Sequence, residues 1–120
     1  MKELIRNTLK SNGFLIINKK LASNIGLNES IIISDLISKE IYFENKNEID
    51  NDGYFYNTRE NIKKDTTLSF CQQRLAINRL KKLDILSVKK KGLPSKNYYK
   101  INYDKLLGNL TTRGKETLYK

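Results

Sequence analysis

The sequence contains no histidine and a single cysteine, Cys71. The first absence excludes histidine-dependent acid–base chemistry and every metal site that needs an imidazole ligand. The second excludes a disulfide framework and any zinc site built on several thiolates. Long apolar runs are missing as well. Phe14–Ile17 and Ile31–Ile33 fall far short of the ~20 residues a membrane-spanning helix requires. The amino terminus has no long apolar run of the kind a signal peptide carries, so a cytosolic location is expected, with Cys71 reduced. These absences argue against most enzymes and favour a small binding module with no cofactor and no metal.

What is present is basic charge. The 120 residues carry 23 Lys and Arg against 13 Asp and Glu, a formal net charge of +10. Five cations face one acid over residues 1–27, and three face eight over residues 28–60. Fifteen face four over residues 61–120. An AT-rich coding sequence would raise the lysine content but would not sort the charges. An acidic middle followed by a basic second half suggests a side that faces a polyanion.

The length suits one domain. Phe14–Asn18 reads as a strand or extended lead-in, and Leu21–Ile25 as a short helix stopped by Gly26. Asn28 is expected to cap a long central helix ending near Glu44, with Ile32, Ile33, Leu36, Ile37, Ile41 and Tyr42 at helical spacing. A polar loop over 45–53 leads to a short strand, Tyr54–Tyr56. Acids at alternate places, Glu48, Asp50 and Asp52, followed by Gly53, partly match a calcium loop. The twelfth place falls on Arg59, however, so turn chemistry is the reading preferred.

Thr58 caps a short helix containing Ile62, which breaks at Asp65–Thr67. Ser69 caps the next helix, Phe70 to about Leu83. At 100° per residue, Phe70, Gln73, Ala76, Ile77, Leu80 and Leu83 share an inward arc, and Cys71, Arg74, Leu75, Asn78 and Lys82 an outward one. Strand 85–88, a turn over 89–96 and strand 97–101 make a hairpin. Tyr98 and Tyr99 must then point to opposite faces, one to the core. Residues 103–107 suit a last helical turn or two, and 108–120 a short polar tail.

Short helix, turn, helix with a polar outer face, then basic hairpin is the order of a winged helix-turn-helix, a mainly helical α+β fold. A helix fits the major groove, and Arg, Asn, Gln and Lys side chains can pair with base edges there. Ser69, Gln72, Arg74, Asn78 and Lys82 are therefore candidate DNA contacts on helix 69–83. Arg79, Lys89, Lys90, Lys91 and Lys96 are candidates for phosphates or the minor groove around the wing, 89–97. A solvated helix face and lysines that protect an edge strand explain the same residues without a ligand. Gln72 suits a cap as well as a phosphate, and Gln73 a structural role. Leu75 fits a thymine methyl, a partner subunit or an isolated exposed leucine.

Leu68-Ser-Phe-Cys-Gln-Gln-Arg-Leu-Ala-Ile-Asn-Arg-Leu-Lys-Lys-Leu-Asp-Ile-Leu86 resembles the bacterial winged-helix pattern, with Asp84 where glycine is usual. Together with the Asp-Gly-Tyr-Phe-Tyr run at 52–56 and the segment Asn97–Leu106, it is similar to phage and plasmid replication-initiation proteins, including replisome-organiser and DnaD-like N-terminal domains. The resemblance implies a winged-helix domain over 1–107 that binds double-stranded DNA of a mobile element, in replication initiation or transcriptional regulation. Leu4, Ile5 and Leu9, at helical spacing in residues 1–11, offer a homodimer contact. The alternative is an interaction module whose acidic 28–60 face holds a host or replisome protein.

Overall fold

The computed structural model describes residues 1–11 and 13–110. The expected tail thus lies mostly outside the described residues. The elements follow the chain as α1 (Lys2–Ser11), α2 (Lys19–Ile25), α3 (Leu27–Asn45), β1 (Phe55–Tyr56), α4 (Arg59–Thr66), α5 (Phe70–Lys82), β2 (Leu86–Lys91), β3 (Lys96–Ile101) and α6 (Tyr103–Leu110). The strands form one antiparallel sheet in the order β1-β3-β2.

No strand forms at Phe14–Asn18, which carries no regular secondary structure. Its last residue, Asn18, accepts the Leu21 N–H at 2.9 Å and starts α2. The central helix begins two residues earlier than expected, with Gly26 rather than Asn28 at its cap. Gly26 both closes α2, through a bond from its N–H to the Ala22 carbonyl, and opens α3. Its φ of 112° favours glycine, and an added Cβ would lie 2.1 Å from the Glu29 carboxylate. Asn28 is left inside the first turn.

Ile32, Ile33 and Leu36 of α3 are fully buried against Ala76 and Leu80 of α5, Phe55 and Tyr99 of the sheet, and Leu21 and Ile25 of α2. Ile37 is half-buried, but Ile41 and Tyr42 are each 51% exposed, contrary to the spacing argument. Nineteen residues make a helix of about 28 Å. Phe43, further along, packs against the core, so Ile41 and Tyr42 are exposed because they fall off the arc that Ile32, Leu36 and Phe43 share.

The α4–α5 corner is fixed by polar bonds. Thr67 takes the left-handed conformation, φ 69°, at the end of α4. Thr66 donates its hydroxyl to the Ile62 carbonyl and accepts the Leu68 N–H at 3.1 Å. Buried Gln73 donates to the carbonyls of Arg59 at 3.1 Å and Leu68 at 3.0 Å, tying α5 to both ends of the preceding helix and turn. Asp84 adopts φ 60° where α5 gives way to β2, so an aspartate serves at the left-handed position.

The hairpin differs from its expected form. Lys89–Lys91 lie in β2 rather than in a turn, because a four-residue connection over 92–95, starting at Gly92 with φ 89°, suffices. Tyr99 is the core tyrosine, and Tyr98 lies on the outer sheet face. Helix α6 runs through Leu110, three residues past the expected boundary at 107. Asn24 donates to the Asn109 carbonyl and joins this last turn to α2.

Candidate nucleic-acid interface

Helix α5 starts with a capping box. Ser69 accepts the Gln72 N–H at 3.1 Å, and Gln72 accepts the Ser69 N–H at 2.9 Å. Both were candidate DNA contacts; their oxygens hold the helix start instead, leaving the Gln72 amide NH2 for another partner. Arg74, Asn78 and Lys82 are exposed on the outward arc as expected, with Leu75 beside them at 60% exposure. The Arg74 guanidinium sits 3.7 Å from the Cys71 sulfur.

A groove of about 340 Å³ separates α5 from the wing. Its walls carry Arg59, Arg74, Lys81 and Lys90, with Asn78 and Asn97 between them and Ile77, Val88 and Tyr99 below. The cations come from α4, α5 and β2, so the corner and the hairpin together build the site. Arg59 and Lys81 were not among the sequence candidates. Arg59 lies in an acidic stretch, and only the fold of α4 against α5 brings it here. Phe70, expected in the core, is 38% exposed. As the first residue of α5 it meets α4 rather than α3, with Arg59 stacked 4.7 Å and Lys63 5.5 Å from its ring centre.

The wing lysines divide by strand alternation. Lys90 shares its face with Val88 and lines the groove. Lys89 and Lys91 point to the other face, where Asp50 binds them at 3.2 and 2.8 Å. Asp52 lies 3.6 Å from Lys89. Lys96 lies on that outer face as well, over the Tyr56 ring. Arg79 belongs to neither side of the wing. Its Nε donates to the Ile25 carbonyl at 3.1 Å, and Glu29 lies 4.0 Å away, so it braces the α2–α3 junction. The rotation of about 100° between adjacent Asn78 and Arg79 carries it away from the groove.

The loop acids serve the chain itself. One Asp50 oxygen accepts the Asp52 and Tyr54 N–H groups at 2.9 Å each, and the other faces Lys89 and Lys91. This is turn and clamp chemistry, not a vacant ligand set. Elsewhere Lys39 bridges Asp35 and Asp65, and Glu40 accepts the Tyr103 hydroxyl. Five of the eight acids of residues 28–60, Glu29, Asp35, Glu40, Asp50 and Asp52, thus meet partners within the chain.

The hydrogen bond from Lys91, followed by the Tyr54 N–H, holds the Asp50 carboxyl well below the usual carboxylate range. A group depressed in the folded state adds stability above its unfolded value, about 3.9, and loses it as pH falls toward the folded value. Asp50→Asn is therefore expected to lower the melting temperature at neutral pH. It should also flatten the loss of stability below about pH 4. Thermal melts of both proteins across acidic and neutral pH check this; parallel curves would remove the clamp.

No family model matches the sequence, and no curated protein matches it. Two solved structures do. One is titled "N-Terminal domain of DNA binding protein", with TM-score 0.60, 18% identity, and coverage of 82% of this chain and 79% of that one. The other is titled "Structure of Rep-DNA complex", with TM-score 0.60, 18% identity, and coverage of 82% and 80%. The chain shares their fold. It is a winged helix-turn-helix, in which α4 and α5 form the corner and β2–β3 the wing. No helix among the described residues is long and apolar enough to cross a membrane.

Proposed function

We propose that this chain is a double-stranded DNA-binding protein that reads sequence with α5 in the major groove and holds the backbone with the wing. The groove carries this reading. Four cations from three elements line a cleft beside the exposed Asn78, on the one face where a winged helix can present a helix to DNA. Arg74 and Asn78 supply paired hydrogen bonds to guanine and adenine edges, and Lys82 extends that row. Arg59, Lys81 and Lys90 neutralise phosphates. The titles of the two similar structures, one naming a DNA-binding protein and the other a Rep–DNA complex, support the polymer chosen.

The second title also supports a part in replication initiation, with transcriptional regulation as the other use of the same contacts. A phage, plasmid or other mobile element inside a bacterial cell is the setting this reading fits. Leu4, Ile5 and Leu9, all more than half exposed on α1, suit a contact with a second copy, which would let two half-sites be read together. The reading needs no cofactor, metal or catalytic group. Selection from a random duplex pool tests it. Recovered DNA should converge on a short shared sequence; recovery no better than without protein would remove the reading.

A further inference from the structure

The outer face of the sheet, turned away from the core, alternates tyrosine with lysine. Register places Tyr56, Tyr98 and Lys89 in one row across the three strands, with Lys91 opposite Lys96 and Ser87 opposite Lys100 in neighbouring rows of β2 and β3. The Tyr56 and Tyr98 rings lie 5.6 Å apart at 50°. Lys91 stands 4.4 Å from the Tyr98 ring centre and Lys96 5.4 Å from Tyr56. Tyr54 has Lys89 at 4.0 Å and Lys100 at 5.9 Å. The rings are half-buried, whereas Lys91, Lys96 and Lys100 are exposed.

We infer that this face is a second nucleic-acid surface, a stacking platform for unpaired DNA. Exposed tyrosine faces stack on any base, and lysines between them meet the phosphates that connect successive bases. A duplex cannot use the rings, because its bases are already stacked and lie inside the helix. Asp50 and Asp52 neutralise Lys89, and Asp50 also holds Lys91 at 2.8 Å, so Lys96 and Lys100 are the cations of the platform that remain for phosphate. Lys96 would turn from the Tyr56 ring to a phosphate as a base takes its place, and Lys91 would swing off Tyr98 while staying on Asp50. The inference deepens the DNA-binding reading and rests on it for the choice of polymer, but it uses the opposite side of the wing.

Fluorescence anisotropy of a labelled oligothymidine with the full chain tests it. Binding is expected in dilute salt. Tyr98→Leu should weaken it about fivefold or more, whereas Tyr98→Phe, which keeps the ring, should not. Lys96→Gln with Lys100→Gln, at exposed positions that do not endanger folding, should also weaken it. Arg74→Ala should leave it unchanged while weakening duplex binding. No binding of oligothymidine, or binding indifferent to both the tyrosine and the lysine variants, would overturn the platform even if duplex binding stands. Duplex failure with Tyr98-dependent oligothymidine binding would instead overturn the major-groove reading and keep the platform.

Discussion

Arg74→Ala combined with Asn78→Ala is expected to lower affinity for the preferred duplex about a hundredfold or more. Each side chain that pairs with a base edge contributes ~1–3 kcal/mol of discrimination, and the two lie one turn apart on the exposed arc of α5. Affinity for unrelated duplex should fall far less, because only one cation is lost. Neither side chain is buried, so the melting temperature should hold, and titration of both duplexes beside a thermal melt separates reading from folding. Lys90→Gln should instead weaken all duplexes alike. Arg79→Ala should affect neither specificity nor phosphate contact, since its guanidinium is held at the Ile25 carbonyl. Equal binding of preferred duplex by wild type and double variant would remove α5 as the reading helix.

Leu80→Ala is expected to cost about 2–5 kcal/mol of folding stability. Leu80 is fully buried where α5 meets α3 and the start of the wing, and the cavity would open at the centre of the core. A small domain has only about 5–15 kcal/mol in total. The variant should therefore show a much lower urea midpoint, and its DNA binding should be lost only where it unfolds, since no contact is removed. Leu75→Ala, five positions earlier and 60% exposed, should change stability by no more than about 0.5 kcal/mol. Similar midpoints for the two variants would contradict the orientation of α5.

Much of this orientation is legible in the sequence, because local rules govern it. Helical spacing separates Ala76 and Leu80 from Arg74 and Asn78, and Thr58 and Ser69 mark helix starts by the chemistry of their side chains. Asp84 at the end of α5 tolerates the left-handed turn for an equally local reason. What fails depends on distant partners. Phe70 has core periodicity but meets Arg59 and Lys63, whose helix is placed by the turn before it. Arg79 is one residue from Asn78, yet its partner, the Ile25 carbonyl, lies 54 residues away in sequence. The lysine run 89–91 looks uniform until strand register sends Lys90 to the groove and its neighbours to Asp50. The α3 spacing misplaced Ile41 and Tyr42, which lie off the arc of Ile32, Leu36 and Phe43 that meets the core.

The dependence of duplex affinity on salt tests phosphate binding by the groove and wing. If Arg59, Lys81 and Lys90 neutralise phosphates, log K should fall with log salt at a slope of roughly −3. Lys90→Gln should reduce that slope by about one. With no histidine in the chain, the slope should change little between about pH 6 and 8. A slope near zero, or one that Lys90→Gln leaves untouched, would contradict the assignment of the α5–wing groove to DNA.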